Sequence, residues 1–365
     1  MRPTTAEIDL DAVAANVATM RALSATARLC AVVKADGYGH GAVEVARTAL
    51  AAGADWLAIA LLEEAATLRA AGIDAPILLL SEPPRGSAAE VVGLGVRPTL
   101  YTAAGIDAFA FAPGHPVHLN VDTGMHRVGA STDDVVGLAE RVVASGLRLE
   151  GVWTHCPVAD EPDNPFTASQ VARLDRVLEA LRAADVGPEM THMANSAATI
   201  AHPATHADLV RVGIALYGVA PSPALAAVAP LRPAMTLRSE VAFVKRVSAG
   251  DRISYGLTYR FDEDANVATI PIGYADGVPR RLSATGGQVL VGGVRRDIAG
   301  VVTMDQLMVD CGDDAVAVGD EAILIGTQGD EQVSIEEWAT RLDTIGYEIV
   351  CGIGPRVPRV HSGGP

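Results

Sequence analysis

Ala31-Val32-Val33-Lys34-Ala35-Asp36-Gly37-Tyr38-Gly39-His40-Gly41 decides how the chain is read. The apolar run Leu29–Val33 is β-prone, the glycines that follow mark a turn, and a helical pattern starts near Ala42. This is strand, loop, helix, with Lys34 at the carboxyl end of the strand. An amine among apolar neighbours is held less readily as a cation and is a better nucleophile, as Schiff-base chemistry requires.

The same grammar repeats outward. Apolar runs at 29–33, 56–60, 77–80, 97–100, 117–121, 149–154, 190–194 and 209–214 alternate with helical patterns such as 42–52, 63–71, 133–144 and 167–184. Eight strands with intervening helices predict a (β/α)8 barrel of the TIM type. A doubly wound sheet is the alternative, but no GxGxxG follows the first strand. Near Pro221 the pattern changes. Prolines crowd 221–233, and beyond them short β-type runs at 237–247, 267–272, 288–291, 308–309 and 322–325 are separated by glycine and aspartate turns. One helix is expected there, 334–342, with Ser334 and Glu337 in capping-box spacing. The expected division is a barrel over 10–229 and a mostly β domain over 230–365, joined by a lead strand within 1–9.

Composition narrows the function. The chain has 365 residues, 49% hydrophobic and 20% charged, so it can bury a large core. A net charge of −16 argues against a nucleic-acid surface. No apolar run is long enough for a bilayer and the start shows no signal peptide, so no membrane role and a cytoplasmic location are expected. The four cysteines form no CxxC and no zinc pattern, and no metal is expected. Cys156 follows His155, but neighbours on a strand face opposite ways, which disfavours a thiol nucleophile.

Barrel chemistry sits at the carboxyl ends of strands. The strand assignments alone place Lys34, Asp122, Arg127, His155, Asn195, Ser196 and Arg211 there. The last two strands offer Ser196 and the Arg211–Ile214 stretch as a phosphate cradle. Ser196 as a helix cap and Gly213 as a plain turn are the ordinary alternatives.

The motifs VVKADGYGHG, VDTGMHRVG, THCPVADEPDNPFTASQ, ANSAA, RVGIALYG, ISYGLTY, PIGYADG and MDQ, with the closing YEIVC and RVPRV, occur in order from the first strand almost to the last residues. The ordered set resembles the alanine racemases, whose fold is an amino-terminal barrel plus a carboxyl-terminal β domain. The resemblance implies that Lys34 carries pyridoxal 5'-phosphate covalently. It implies that Tyr38, Ser196 and the backbone of Gly213 and Ile214 hold the phosphate, with His155 and Asn195 beside the cofactor. Arg211 would face the pyridine nitrogen. Arg127 and Met304, with Tyr274 nearby, would bind the substrate carboxylate. Lys34 and Tyr255 would be the two bases, with His155 linking Tyr255 to Arg211. Tyr255, Tyr274 and Met304 would come from the second subunit of a homodimer. The implied activity is interconversion of L- and D-alanine for peptidoglycan. A racemase of another or broader amino-acid range, a non-catalytic pyridoxal-phosphate carrier and a related barrel decarboxylase are the alternatives.

Four positions depart from the family pattern. Asn120 replaces a lysine, often carbamylated, that positions the carboxylate-binding arginine; a chloride beside Asn120 is expected instead. Val301 replaces an arginine that faces the aspartate matching Asp160. Pro355 stands where several members have a channel tyrosine, and His361 replaces an aromatic residue.

Overall fold

The computed structural model describes residues 2–364. Met1 and Pro365, the outer limits of the expected β domain, lie outside them. The chain forms two compact units. One contains Ala12–Gly37 and Ala42–Arg232; the other contains the stretch up to Asp11, Tyr38–Gly41 and Pro233–Gly364.

After a first strand, β1 (Thr5–Asp9), eight strands follow: β2 (Arg28–Val32), β3 (Trp56–Ile59), β4 (Ile77–Leu79), β5 (Val96–Leu100), β6 (Pro116–Asn120), β7 (Arg148–Trp153), β8 (Met190–His192) and β9 (Leu209–Val212). They pair in the order β8-β7-β6-β5-β4-β3-β2-β9, and each of the seven pairings is parallel. Asp208 N donates to Thr191 O at 3.0 Å and Arg211 N to Ala194 O at 2.9 Å, which brings the sheet round nearly to closure. Parallel strands covered by helices are buried on both faces, which is why each reads as a short apolar run. All eight expected strands are present, with ends shifted by at most two residues. Helices Ala42–Ala51, Leu62–Ala70, Val135–Ala144 and Phe166–Ala183 occupy the stretches expected for them. The eight-stranded barrel followed by a mostly β region is therefore the observed fold class.

The other unit is built on a seven-stranded sheet. Its strands are β10 (Met235–Glu240), β15 (Gln288–Val291), β16 (Val294–Asp297), β18 (Glu321–Gln328), β19 (Glu331–Val333), β20 (Arg359–Ser362) and β1, in the order β16-β15-β18-β10-β1-β20 with β19 on β18. A three-stranded sheet joins β11 (Phe243–Val247), β14 (Ala265–Ile270) and β17 (Leu307–Asp310) in the order β11-β14-β17. A short hairpin pairs β12 (Arg252–Ile253) with β13 (Tyr259–Arg260).

Three expectations need correction here. The run 237–247 is two strands, since the chain leaves one sheet at Val241-Ala242 and enters another. A second helix, Gly346–Gly352, follows Ile335–Leu342; its glycine ends hide it from a periodicity reading. The capping box is half made. Glu337 N donates to Ser334 Oγ at 3.1 Å, but the Glu337 carboxylate pairs with Arg295 and Arg341 instead of reaching back. Among the described residues no helix is long and apolar enough to cross a membrane.

Candidate active site

The chain leaves β2 through Val33, and Lys34–Gly39 forms one helical turn of the left-handed kind. Its φ angles are 53° at Ala35, 52° at Asp36, 61° at Gly37, 51° at Tyr38 and 78° at Gly39. Each L-residue other than glycine costs about 1–2 kcal/mol in that conformation, so the turn persists only because its surroundings over-determine it. Gly37 N donates to Val33 O at 2.9 Å. Asp36 Oδ1 accepts from Ala42 N at 2.8 Å and so caps the next helix. Glu64 accepts from Ala35 N at 2.6 Å and from Ala60 N and Leu61 N at 2.8 and 3.0 Å, tying the ends of two strands together. Lys34 is half-buried at the start of this turn. Glu64 and Asp36 are supports that the sequence reading passed over.

Inside the barrel unit Arg211 is buried on β9. Nη1 donates to His192 Nδ1 at 2.8 Å; Nη2 lies 2.9 Å from Thr154 O, 3.1 Å from Met193 O and 3.2 Å from His155 Nδ1. The guanidinium also lies over the Trp153 ring, 4.5 Å from its centroid. Burial pulls its pKa down to about 10, which leaves it a cation at neutral pH. These contacts use Nη1 and Nη2, so among the described residues Nε makes none of them. His155 is pushed down to about 3, first by burial and then by the charges of Arg211, Arg127 and Lys34. It is a neutral ring. Because Arg211 can only donate, His155 Nδ1 accepts and its proton sits on Nε2. Burial pushes the Cys156 thiol up to about 11, so it is no nucleophile at neutral pH.

Ser196 is not the cap of its helix. Asn195 is: its Oδ1 accepts from Ala198 N at 3.0 Å, and its Nδ2 donates to Cys156 O at 2.9 Å. Ser196 opens the helix Ser196–Ala201, and its Oγ accepts from Gly213 N at 2.9 Å and Ala215 N at 3.4 Å. Both acceptor sites of the hydroxyl are used, which leaves its hydrogen to donate. The Gly213 N–H is thus given to Ser196. Ile214 starts the turn Ile214–Tyr217 and is fully buried, and the N–H of a first helical residue has no acceptor within its helix. A buried hydroxyl beside an N–H that no acceptor of its own helix takes up suits an acceptor-only group such as phosphate.

The loop after β6 carries Arg127, which is exposed, and Asp122, whose carboxylate accepts from Gly124 N, His126 N and His126 Nδ1 at 2.9–3.0 Å. Burial opposes ionisation of Asp122, but these hydrogen bonds hold its pKa below the usual value. Asn120 is buried at the end of β6, with Nδ2 3.3 Å from Trp153 O. Asn120, Asp122, Arg127, Thr154 and His155 line a cavity of about 10 Å³, room for one water or small ion.

In the other unit Tyr255 begins the turn between β12 and β13 and is 73% exposed. Ser254, Gly256 and Leu257 flank it at φ 65°, 75° and 49°. Ser254 Oγ donates to Val301 O at 2.8 Å, so the position lacking the family arginine still steadies the turn through its backbone. Tyr274 and Met304 are brought together: Tyr274 N donates to Thr303 O at 2.9 Å and Ala275 N to Met304 O at 3.0 Å. Asp276, fully buried, is held by Arg2 at 2.8 Å and Arg356 at 3.2 Å, and Arg356 reaches on to Asp305 at 2.7 Å. Tyr38 is buried with its ring centroid 6.3 Å from that of Tyr347, and burial raises its phenol well above the usual range. His361 Nε2 lies 2.7 Å from His40 O.

Two family models cover almost the whole chain: alanine racemase, N-terminal domain, over residues 8–221, and alanine racemase, C-terminal domain, over 234–361. An alanine racemase of Symbiobacterium thermophilum is 48% identical, the alignment spanning 100% of this chain and 98% of that one. The crystal structure of alanine racemase from Streptomyces lavendulae superposes with a TM-score of 0.94 at 42% identity, covering 100% of this chain and 98% of that one. Alanine racemase from Bacillus anthracis with bound L-Ala-P gives the same TM-score at 40% identity, covering 100% and 96%. At such identity over such lengths, with the barrel and the ordered motifs both present, the chain belongs to the alanine racemase family.

Proposed function

We propose that the protein is a pyridoxal 5'-phosphate-dependent racemase that interconverts L- and D-alanine. The observation that carries this reading is Arg211: a buried cation on four acceptors, none of them a carboxylate, with Nε taking part in none of these contacts among the described residues. Such a group suits a ring nitrogen that accepts one hydrogen bond. The Ser196 hydroxyl and the Ile214 N–H suit the phosphate of the same molecule, and Tyr38 is assigned to that phosphate by the motif. The residues present therefore fit the cofactor.

Pyridoxal phosphate supplies the electron-withdrawing system that acidifies the Cα–H of an attached amino acid. The chain supplies the rest. Lys34 holds the cofactor and then moves the proton at one face of Cα. Tyr255 moves it at the other, and its exposed, strained turn supports a residue offered to a second subunit. Neutral His155, with its proton on Nε2, is suited to donate to the Tyr255 oxygen and stabilise it as phenolate. Arg127 pairs with the substrate carboxylate, with Met304 N and Tyr274 nearby. Arg211 cannot release a proton, so the ring nitrogen it meets remains an acceptor.

The same reading includes a homodimer with sites shared across the interface, a cytoplasmic location and supply of D-alanine to peptidoglycan. It includes a chloride between Arg127 and Asn120, supported by the single-ion cavity there; Asp122 in the same lining opposes it. A racemase of broader amino-acid range remains the second reading, favoured by the departures at Asn120 and Val301. Single-enantiomer amino acids incubated with the protein and cofactor, then resolved by chiral chromatography, test the activity. Alanine should racemise fastest, borohydride should fix the cofactor on Lys34, and replacing chloride by a bulky organic anion should raise KM. Label on Lys245, or no racemisation of any amino acid, would overturn the reading.

A further inference from the structure

Glu150, His118 and His192 take no part in the function proposed above, yet all three are buried, on β7, β6 and β8. In space they form a chain that ends on Arg211. His192 Nδ1 stands 2.8 Å from Arg211 Nη1, His192 Nε2 stands 2.9 Å from His118 Nδ1, and His118 Nε2 stands 3.2 Å from Glu150 Oε2.

The chemistry of the two ends sets the direction. A guanidinium only donates, so His192 Nδ1 must accept, and a neutral ring then carries its proton on Nε2. That N–H is given to His118 Nδ1. The His118 proton is thereby placed on Nε2, facing a carboxylate that only accepts. Every bond runs from Arg211 toward Glu150. Protonating either ring would set two donors face to face, and burial independently keeps both rings neutral. The planes are held as well. Trp153 stacks on His192 at 5.6 Å with 10° between the rings, and the same indole lies under Arg211. At the far end Glu150 is anchored by Arg148 at 3.0 Å and Arg97 at 3.4 Å, and Arg148 pairs in turn with Glu189 at 2.8 Å. Barrel interiors are usually filled by branched apolar side chains. A polar string there needs complete satisfaction, and this one has it.

We propose that Glu150, His118 and His192 form a one-way hydrogen-bond relay that fixes the guanidinium of Arg211, with Glu150 as the positioning residue at its far end. The function of the relay rests on the reading of Arg211 as partner of the cofactor ring; its existence does not.

The test is 15N–1H spectroscopy of histidine-labelled holoenzyme, with resonances assigned through His118→Phe and His192→Phe. Both rings should be neutral with the proton on Nε2. Glu150→Ala removes the terminal acceptor and should turn both rings into tautomer mixtures. It should shift the visible absorption of the bound cofactor and lower kcat roughly 10- to 100-fold, the range found when an outer partner orienting a site ligand is lost, with KM unchanged. Glu150→Gln keeps an acceptor oxygen and should restore the tautomers and most of kcat. A His192 carrying its proton on Nδ1, or histidine signals indifferent to Glu150→Ala, would overturn the relay. Loss of kcat in Glu150→Gln equal to that in Glu150→Ala would overturn its positioning role. Absence of racemisation in the wild type would strike the functional reading alone, because the tautomers are read without turnover.

Discussion

Gly151 and His118 face each other across β7 and β6, paired in register, so closely that a Cβ on Gly151 would stand 2.3 Å from Nδ1 of His118. The imidazole lies where any other residue would put its side chain. The register of β6 against β7 also shifts between Val117 and His118, which helps aim the ring inward.

Gly151→Ala should therefore be a core overpacking change. Such changes cost about 1–3 kcal/mol, and this one should also push His118 off His192. Urea unfolding measures it. Gly137→Ala is the control, since Gly137 lies in the helix Val135–Ala144 and a Cβ there meets nothing within 4 Å. That variant should gain about 0.5–1 kcal/mol from helix propensity. Equal stabilities of the two variants would contradict the packing described.

The left-handed turn at Lys34 makes a second prediction with two opposite signs. Ala35 is exposed at φ 53°, so Ala35→Gly should not destabilise as glycine usually does, and should gain up to about 1 kcal/mol. Asp36→Ala leaves Ala42 N without its acceptor and should cost about 1 kcal/mol, the worth of a helix cap. Thermal unfolding of both variants decides it. A destabilised Ala35→Gly would mean that the turn is not strained.

What could be read from the sequence divides along physical lines. The strands from Leu29 to Ile214 were legible because strands buried on both faces are unbroken apolar runs. Lys34 and Arg211 were legible because they interrupt those runs at their carboxyl ends. Glu150 and His118 were not, because a single polar residue within an apolar strand looks the same whether it is paired or solvated. Their partners lie 32 and 74 residues away, and only the barrel's register brings them together. The left-handed turn was half legible: its glycines announce positive φ, but Ala35, Asp36 and Tyr38 share that conformation without any sign in their identity. In the β unit the split of 237–247 was hidden because Val241-Ala242 contains no breaker.

Tyr255→Phe addresses the two-base scheme. The phenyl ring keeps the shape of the exposed turn, and Lys34, Ser196 and Arg211 are untouched. Cofactor content should stay at the wild-type level. Racemisation should fall roughly 100- to 10,000-fold, the usual contribution of a positioned acid–base group, because one face of Cα loses its proton carrier. Chiral chromatography of single-enantiomer alanine reads the outcome, and wild-type turnover would remove Tyr255 from the chemistry.

Acid lability should begin with the buried histidines. His155 is pushed down to about 3, His192 well below its ordinary 6.5 and His118 below it too, in each case first by burial. The folded protein therefore refuses protons that the unfolded chain accepts once the pH drops below about 6.5. Where the unfolded state binds more protons, stability falls as pH falls. Each ring kept neutral should then remove about 1.4 kcal/mol per pH unit within its window. Above pH 7 these rings contribute no slope. Between 6.5 and 4.5 they act before the depressed carboxyls of Glu150 and Glu337 begin to titrate in the unfolded chain. Urea midpoints measured across pH 4.5–8 should be flat at the top and steepen below 6.5, with unfolding in that range accompanied by proton uptake on these histidines. His118→Phe should lower that uptake while also lowering stability at pH 7, because His192 loses the acceptor for its Nε2–H. A stability curve that stays level down to pH 4.5 would mean that the three rings are charged in the folded state.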